Sequence, residues 1–122
     1  MIESIVKSIK LRKNTFVNRS AEEMDNYDNG IYFMYSSWSH SFLQLSHLIA
    51  SLETFPNIPL YIFDTDDLNT DKIKFRFNVY SHGWGETFWI KNGKTIFFKM
   101  KFTSNEIEDL IKNNSLFTAA SR

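Results

Sequence analysis

Two continuous apolar runs stand out in the sequence. The first, Ile31 to Tyr35, directly follows Gly30, and the second, Ile58 to Phe63, lies beside the two prolines of the chain. A strand that is apolar on both faces is typical of a sheet interior covered on both sides, so both runs predict buried strands. A shorter apolar run at residues 15–18 predicts a further, short strand.

Apolar residues with helical spacing follow the first buried run and recur near the end of the chain. The first stretch predicts a helix from Ser39 to about Thr54. Its predicted buried stripe is Phe42, Leu45, Leu48, Ile49 and Leu52, and its predicted outer face is His40, Gln44, His47 and Ser51. Further on, Thr103 and Glu106 have the spacing of a capping box. They predict a last helix that buries Ile107, Leu110 and Ile111.

A hairpin signal precedes that last helix. Asn92 and Gly93 lie between the apolar segments 87–90 and 95–100, and both residue types tolerate positive φ. Strand–helix–strand units that lead into an antiparallel hairpin predict a three-layer α/β domain with a mixed sheet. Residues 1–13 and 70–79 fit either a helix or a strand.

The composition indicates one globular domain of 122 residues and excludes several functions. Because 14 basic residues balance 14 acidic ones, no overall field attracts nucleic acid or an anionic membrane. No apolar run is long enough to span a membrane, and residues 1–7 lack the apolar core of a secretory signal. We therefore expect a cytoplasmic protein, and abundant Ile, Asn, Lys and Phe suggest an AT-rich bacterial genome. Cysteine is absent, which excludes disulfides, thiolate catalysis and cysteine-ligated metals.

In order and spacing, several segments resemble the thioredoxin family. They are residues 33–41, which run from a strand through an aromatic turn into a helix, residues 77–79, residues 86–94, and the final strand and helix. The resemblance covers roughly residues 28–115. It implies one thioredoxin-like domain over residues 1–122, an α/β/α sandwich in which residues 1–27 are an N-terminal helix/strand extension and residues 28–115 the core. It also implies a short helix within residues 70–79.

The chain departs from that family at the positions that carry its redox chemistry. Ser39 stands where the family has its first active-site cysteine, and Ser41 or Phe42 stands where it has the second. Glu86 stands at the position of the family's cis-proline. Because thiol–disulfide exchange requires a thiolate, which serine cannot supply, we expect a redox-inactive scaffold.

A first group of candidate residues comes from the resemblance, which implies that the turn before the long helix faces the loop before the cis-proline position. The group is Trp38, Ser39, His40, His82, Trp84 and Glu86. One hypothesis is a recognition surface with a tryptophan anchor, because aromatic residues supply much of the energy of interfaces. The alternative is a small hydrolase, transferase or metal-dependent enzyme that uses Ser39, His40, His82 and Glu86. Since the sequence has no nucleophile-elbow motif and no His-x-x-x-His pair, binding is favoured over catalysis.

A second group is acidic and directly follows the second buried run. It comprises Asp64, Asp66, Asp67 and Asp71. A calcium loop is excluded, because Leu68 and Asn69 occupy positions that need an oxygen ligand and a glycine. The group predicts either helix capping or an acidic patch for a basic partner, at the strand ends where α/β sheets usually bind ligands.

Together these features predict a non-catalytic protein-binding module. Its sharper form is a bacterial immunity protein, which neutralises one cognate toxin by direct binding in the cytoplasm. We expect a protein partner, no nucleic acid, no membrane, no cofactor and no metal.

Overall fold

Five strands form one mixed sheet in the computed structural model, which describes residues 12–18, 28–36, 41–65 and 84–120. The strands are β1 (Thr15–Asn18), β2 (Gly30–Tyr35), β3 (Leu60–Asp64), β4 (Thr87–Lys91) and β5 (Lys94–Lys99). Their order across the sheet is β1-β3-β2-β4-β5. β3 pairs in parallel with both β1 and β2, whereas β4 is antiparallel to both β2 and β5. The predicted mixed sheet is therefore confirmed.

The apolar run at β2 forms the centre of this sheet. All six residues of the strand are buried, as its apolar character on both faces predicts. Ile31 pairs with Leu60 of β3 on one side and with Trp89 of β4 on the other. Full burial of each such large side chain contributes about 1.5–3 kcal/mol, so β2 is the main anchor of the fold.

Two helices, α1 (Ser41–Ser51) and α2 (Ile107–Ala120), pack on the same face of the sheet. In α1 the buried positions are Ser41, Leu45, Leu48 and Ser51, with Leu52 buried directly after the helix. The prediction was right for the leucines and wrong at two positions, since Phe42 is 38% exposed and Ser51 is buried. The centre of the buried face is therefore shifted by about 50° toward Ser41 and Ser51, which is half the angle between successive residues of a helix.

The last helix begins after a 3₁₀ turn at Ser104–Glu106. The capping box at its start is present, and the Glu106 carboxylate accepts a hydrogen bond from the Thr103 amide at 3.3 Å. Leu110 is buried as predicted, whereas Ile111 is 39% exposed, so its predicted burial was wrong. Asn114 and Phe117 continue the buried face instead, at the i+4 and i+7 positions from Leu110.

The predicted hairpin is confirmed between β4 and β5. Asn92 and Gly93 have φ values of 53° and 76°, the left-handed region that a two-residue turn requires at both central positions. The Gly93 amide also donates to the Asp28 carbonyl at 2.9 Å, and the Asn92 amide donates to Asn29 Oδ1 at 3.1 Å. These bonds fix the hairpin turn against the entry to β2.

An ion pair joins the edge strand β5 to the 3₁₀ turn before α2. Lys99 Nζ lies 2.7 Å from Glu106 Oε2, and this hydrogen bond is the main cause that lowers the pKa of Glu106 from its ordinary value. A carboxyl whose pKa is lowered by folding stabilises the fold above its unfolded-state pKa. That contribution is lost as the pH falls through the folded-state pKa.

We therefore expect Glu106→Gln to lower the melting temperature slightly at about pH 7 and to have a smaller effect as the pH falls through the folded-state pKa of Glu106, because the parent then loses the charge as well. The measurement is thermal unfolding of both proteins across this pH range. Glu108→Gln, which removes an exposed charge from the same turn of the helix, is the control. A Glu106→Gln deficit that is constant with pH would show that the ion pair does not stabilise the fold.

Some of the sequence predictions concern segments outside the described residues. These are residues 1–11, the segment 70–79 and the first two positions of the helix predicted from Ser39. Arg12 and Lys13 belong to neither a helix nor a strand. Within the described ranges, no helix combines the length and apolar character needed to cross a bilayer.

Candidate functional site

Three strand ends and the start of a helix meet at one end of the sheet, which we call the sheet end. The Met34 amide near the end of β2 donates to the Glu86 carbonyl, just before β4, at 2.9 Å. On the other side of β2, Tyr35 is in register with Asp64, and its carbonyl accepts from the Thr65 amide at 2.8 Å. The antiparallel β4 therefore starts where the parallel strands β2 and β3 end.

Hydrogen bonds of serine and threonine hydroxyls join this end of the sheet to the first turn of α1. Ser41 Oγ accepts from the Ser36 amide at 3.0 Å and donates to the Ser36 carbonyl at 2.8 Å. Ser36 Oγ and Thr65 Oγ1 share a hydrogen bond of 2.5 Å, and Thr65 Oγ1 donates to the Tyr35 carbonyl at 2.7 Å. The Ser41 hydroxyl donates its proton to a backbone carbonyl. These bonds therefore have a structural role, because they join the end of β2 to the first turn of α1.

Among the described residues, Trp84 is the largest side chain exposed at the sheet end. It is 37% exposed, and its amide donates to Glu86 Oε1 at 3.2 Å. Its carbonyl accepts from the Lys101 amide at 2.8 Å, and Lys101 Nζ lies 3.6 Å from the centre of its ring. A cation held over an indole face is attracted by the ring quadrupole, so Lys101 holds the indole from one side.

Lys101 adopts a backbone conformation that is uncommon for lysine. Its φ is 54°, in the left-handed region that costs a residue with a β-carbon about 1–2 kcal/mol. Such conformations persist where the surrounding structure fixes them, and they cluster at functional sites. Here the conformation brings both the amide and the ammonium of Lys101 to Trp84.

Gly85 lets this loop pack closely against α1. Its φ is 70°, and a β-carbon there would clash with Gln44 Oε1 and lie 2.6 Å from Gln44 Cδ. Gln44 Oε1 is buried without a hydrogen-bond partner among the described residues. The loop that carries Trp84 is thus fixed between Gln44 of α1 and Lys101.

The structure brings some of the predicted site residues together and leaves others undescribed. Trp84 and the backbone of Asp64 lie at the same end of the sheet, on opposite sides of β2. Glu86, expected on a binding surface, is only 1% exposed, and its carboxylate accepts a hydrogen bond from the Trp84 amide. Trp38, Ser39, His40, Asp66, Asp67, Asp71 and His82 lie outside the described residues.

Sequence reasoning missed the two residues that position Trp84. Gln44 was assigned to an exposed helix face, and Lys101 was not connected with the loop before β4. A lysine with positive φ has no local sequence signature, so only the fold shows its contact with Trp84. The glycine after Trp84 was the available signal, because an isolated glycine beside a strand often marks a close backbone approach.

The described part of the sheet end presents an aromatic side chain and a cation to solvent. No group of three or more His, Asp or Glu residues suited to a metal occurs among the residues that can be described. The serine and threonine hydroxyls bond to one another and to the backbone, and the Glu86 carboxylate receives the Trp84 amide. The exposed groups here are the Trp84 indole and the Lys101 ammonium that lies over its ring.

Comparison with known proteins identifies the fold. No protein-family model matches the sequence, and no curated protein is found to be related to it. Solved thioredoxin structures do match. Thioredoxin from Plasmodium falciparum has a TM-score of 0.62 at 15% identity and covers 81% of this chain and 97% of its own. Thioredoxin O2 from Arabidopsis thaliana in the oxidised state has a TM-score of 0.62 at 15% identity, covering 82% and 93%. Thioredoxin from Schistosoma mansoni has a TM-score of 0.57 at 15% identity, covering 81% and 96%.

The chain therefore has a thioredoxin-like fold, as the order of its sequence motifs predicted. It is a thioredoxin-like scaffold without cysteine, so the thiol–disulfide exchange that needs a thiolate is not open to it. The described residues contain no cis peptide bond.

Proposed function

We propose that this protein is a non-catalytic binding module that recognises a protein partner through the sheet end. The observation that carries the proposal is the way in which neighbouring residues hold Trp84 in place. This large aromatic side chain is left partly exposed, yet it is fixed by Glu86, by Lys101 and by the packing of Gly85 on Gln44. A rigid exposed aromatic residue loses little entropy on binding, which is typical of the anchors that dominate interface energies.

The acidic segment that begins at Asp64 supports a partner of opposite charge. The backbone of Asp64 lies across β2 from the Trp84 loop, so the segment with Asp66, Asp67 and Asp71 starts at the same end of the sheet. Charged groups around an anchor mainly raise the association rate and exclude wrong partners. The partner we propose is therefore a basic protein.

The sharper form of the proposal is an immunity protein that neutralises a cognate toxin in a bacterial cytoplasm. The scaffold is small and has no cysteine. We propose that the end that holds the redox site in thioredoxins serves recognition here, which suits an inhibitor that works by direct binding. Trp38, Ser39, His40 and His82 belong to the same proposed surface.

The test starts from the product of the gene adjacent to that of this protein. Co-expression should relieve any toxicity of that product, and the two proteins should form a complex whose kinetics can be measured by surface plasmon resonance. We expect Trp84→Ala to weaken binding by about 2 kcal/mol, or about thirtyfold, chiefly through faster dissociation. We expect Asp66→Asn/Asp67→Asn to slow association at low salt and to have little effect at high salt.

Phe16→Ala is the matched control, because Phe16 is an exposed aromatic residue on β1 at one edge of the sheet, whereas Trp84 lies at the sheet end. If the neighbouring product is not toxic or does not bind, the immunity assignment is wrong. If a complex forms but Trp84→Ala binds as tightly as the parent, the sheet end is not the interface.

A further inference from the structure

An open groove lies where β1 and β3 begin, at the opposite end of these strands from the sheet end. Its volume is about 690 Å³, and α1 and the turn after it form one wall. The apolar lining includes Ile49, Leu52 and Pro56, and the polar lining includes Arg12, Lys13 and Glu53. We call it the α1 groove. None of these residues is among those that hold Trp84, so a role for this groove is independent of the proposed function.

Hydrogen bonds of Arg12 fix the chain at the rim of the α1 groove. Its Nη2 donates to the Phe55 carbonyl at 3.1 Å and to the Ile58 carbonyl at 2.7 Å. These bonds hold the guanidinium, and with it the start of β1, against the turn that joins α1 to β3. The point from which residues 1–11 continue is therefore fixed beside the groove.

The α1 groove is poorly suited to an anionic ligand. The other terminal nitrogen of Arg12 donates to Thr15 Oγ1 at 3.0 Å and to the carbonyls of Lys13 and Asn14 at 3.2 and 3.1 Å. Both terminal nitrogens are thus already bonded to oxygens of the protein. Glu53, which is exposed in the same lining, adds a negative charge. An apolar occupant therefore fits this groove better than an anion does.

The residues directly before Arg12 have the composition of such an occupant. They carry four apolar side chains at the spacing of one helical face, namely Ile2, Ile5, Val6 and Ile9. Ser4 falls on the opposite face. As a helix, residues 1–11 would be about 16 Å long, which equals the length of the 11-residue α1.

The connection at Arg12 also determines how such a helix would lie. Ile5 is seven residues before Arg12, and Ile49 is seven residues before Pro56. Because Arg12 and Pro56 both line the groove, a helix that runs alongside α1 brings Ile5 level with Ile49. Ile49 is only partly buried by the described core, so it has apolar surface to offer.

We propose that residues 1–11 form an amphipathic helix that docks in the α1 groove, with Ile5 against Ile49 and Ile9 against Pro56. The apolar face of this helix and the lining of the groove then shield each other from water. The helix is already tethered at Arg12, so it binds at a high effective concentration, which favours this occupant over a separate molecule. The groove is thus filled by the chain itself.

Engineered cysteine pairs test this placement, because the chain has no cysteine of its own. In Ile5→Cys/Ile49→Cys the two thiols face each other, so mild oxidation of the full chain should give an intramolecular disulfide. Ser4→Cys/Ile49→Cys is the first control, since Ser4 faces away from the groove. Ile5→Cys/Ile111→Cys is the second, since Ile111 is an exposed position on α2 outside the groove lining. We expect the test pair to react at least about tenfold faster than either control, as measured by mass spectrometry of the monomer.

Thermal unfolding gives a second measurement that does not depend on disulfide geometry. Ile5→Asp and Ile9→Asp should each lower the melting temperature by about 4 °C or more, because a carboxylate would replace an apolar contact. Ser4→Asp, on the opposite face of the same segment, should lower it by less than about 1 °C.

Several results would overturn the proposal. These are a test pair that reacts no faster than the two controls, or equal melting temperatures for Ile5→Asp and Ser4→Asp. Disulfide-linked dimers of Ile5→Cys/Ile49→Cys in place of the cross-linked monomer would assign the groove to residues of a second copy. None of these results changes the expected effect of Trp84→Ala on partner binding, so this proposal and the proposed function fail separately.

Discussion

Replacing Asn114 with alanine should destabilise the protein by about 3 kcal/mol, because it leaves several buried polar groups without partners. Asn114 is fully buried on α2 and joins three elements. Its Oδ1 accepts from Trp89 Nε1 of β4 at 2.9 Å. Its Nδ2 donates to the carbonyl and to the hydroxyl of Ser51, at the end of α1, both at 3.1 Å.

Each of these bonds satisfies a group that water cannot reach in the fold. The Ser51 carbonyl is one of the last of α1, which have no partner within the helix. Ser51 Oγ itself donates to the Leu48 carbonyl at 2.6 Å. Alanine at position 114 would leave the Trp89 indole N–H and the Ser51 carbonyl unpaired and would open a small void, so the penalties add to any loss of the bonds themselves.

The measurement is urea and thermal unfolding of Asn114→Ala beside Asn113→Ala. A loss of about 3 kcal/mol corresponds to about 10 °C in melting temperature for a domain of this size. Asn113 is the adjacent asparagine of the same helix and is not fully buried, so its replacement by a better helix former should be neutral or slightly stabilising. Equal effects of the two substitutions would show that the buried network contributes nothing to stability.

This network also shows where sequence reasoning reaches its limit. The central strand and the hairpin were predicted correctly, because an apolar run and an Asn-Gly pair determine their structure through local interactions. Asn114 and Ser51 were not recognised, because a polar residue on a helix is normally assigned to solvent. Their burial depends on Trp89, which is distant in sequence and supplies the third member of the network.

A signal for Asn114 was nevertheless present in the spacing. It lies on the stripe of Leu110 and Phe117, so a polar residue there predicts either a packing defect or a buried hydrogen bond. The same reasoning applies to Ser41, which shares a stripe with Leu45 and Leu48 and bonds to the backbone of Ser36. Phe42 was assigned to the core by its helical spacing from Leu45, and its 38% exposure shows that it lies at the edge of the buried stripe.

The candidate site was predictable only in part. The thioredoxin-like order of motifs correctly brought the loop before β4 to the end of β2, and it included Trp84 among the candidate surface residues. It could not show that Glu86 is buried and bonded to the Trp84 amide, or that the Lys101 ammonium lies over the indole, because both depend on backbone conformations outside regular elements. The fold family is encoded in patterns over many residues, whereas the site depends on three or four individual contacts.

Replacing Gly85 with alanine should also cost about 3 kcal/mol, from two separate causes. The first is the positive φ of 70°, which costs about 1–2 kcal/mol for a residue with a β-carbon. The second is the clash of that β-carbon with the Gln44 side chain, which must leave its buried position on α1. Gly93→Ala isolates the first cause, since Gly93 has a similar φ of 76° in the hairpin turn.

A double-mutant cycle separates the two causes. In a Gln44→Ala background the contacts with Oε1 and Cδ are removed and only the contact of 3.1 Å with the β-carbon at position 44 remains. Gly85→Ala should then cost little more than Gly93→Ala, and the difference between the two backgrounds should be about 1–2 kcal/mol. Unfolding free energies of the four proteins measure this difference. Because Gly85 adjoins Trp84, the indole fluorescence of Gly85→Ala should report a more solvated environment, and the Gln44→Ala background should restore it. If the two substitutions are additive, the Trp84 loop does not rest on Gln44, and the rigidity on which the proposed interface depends must come from Lys101 and Glu86 alone.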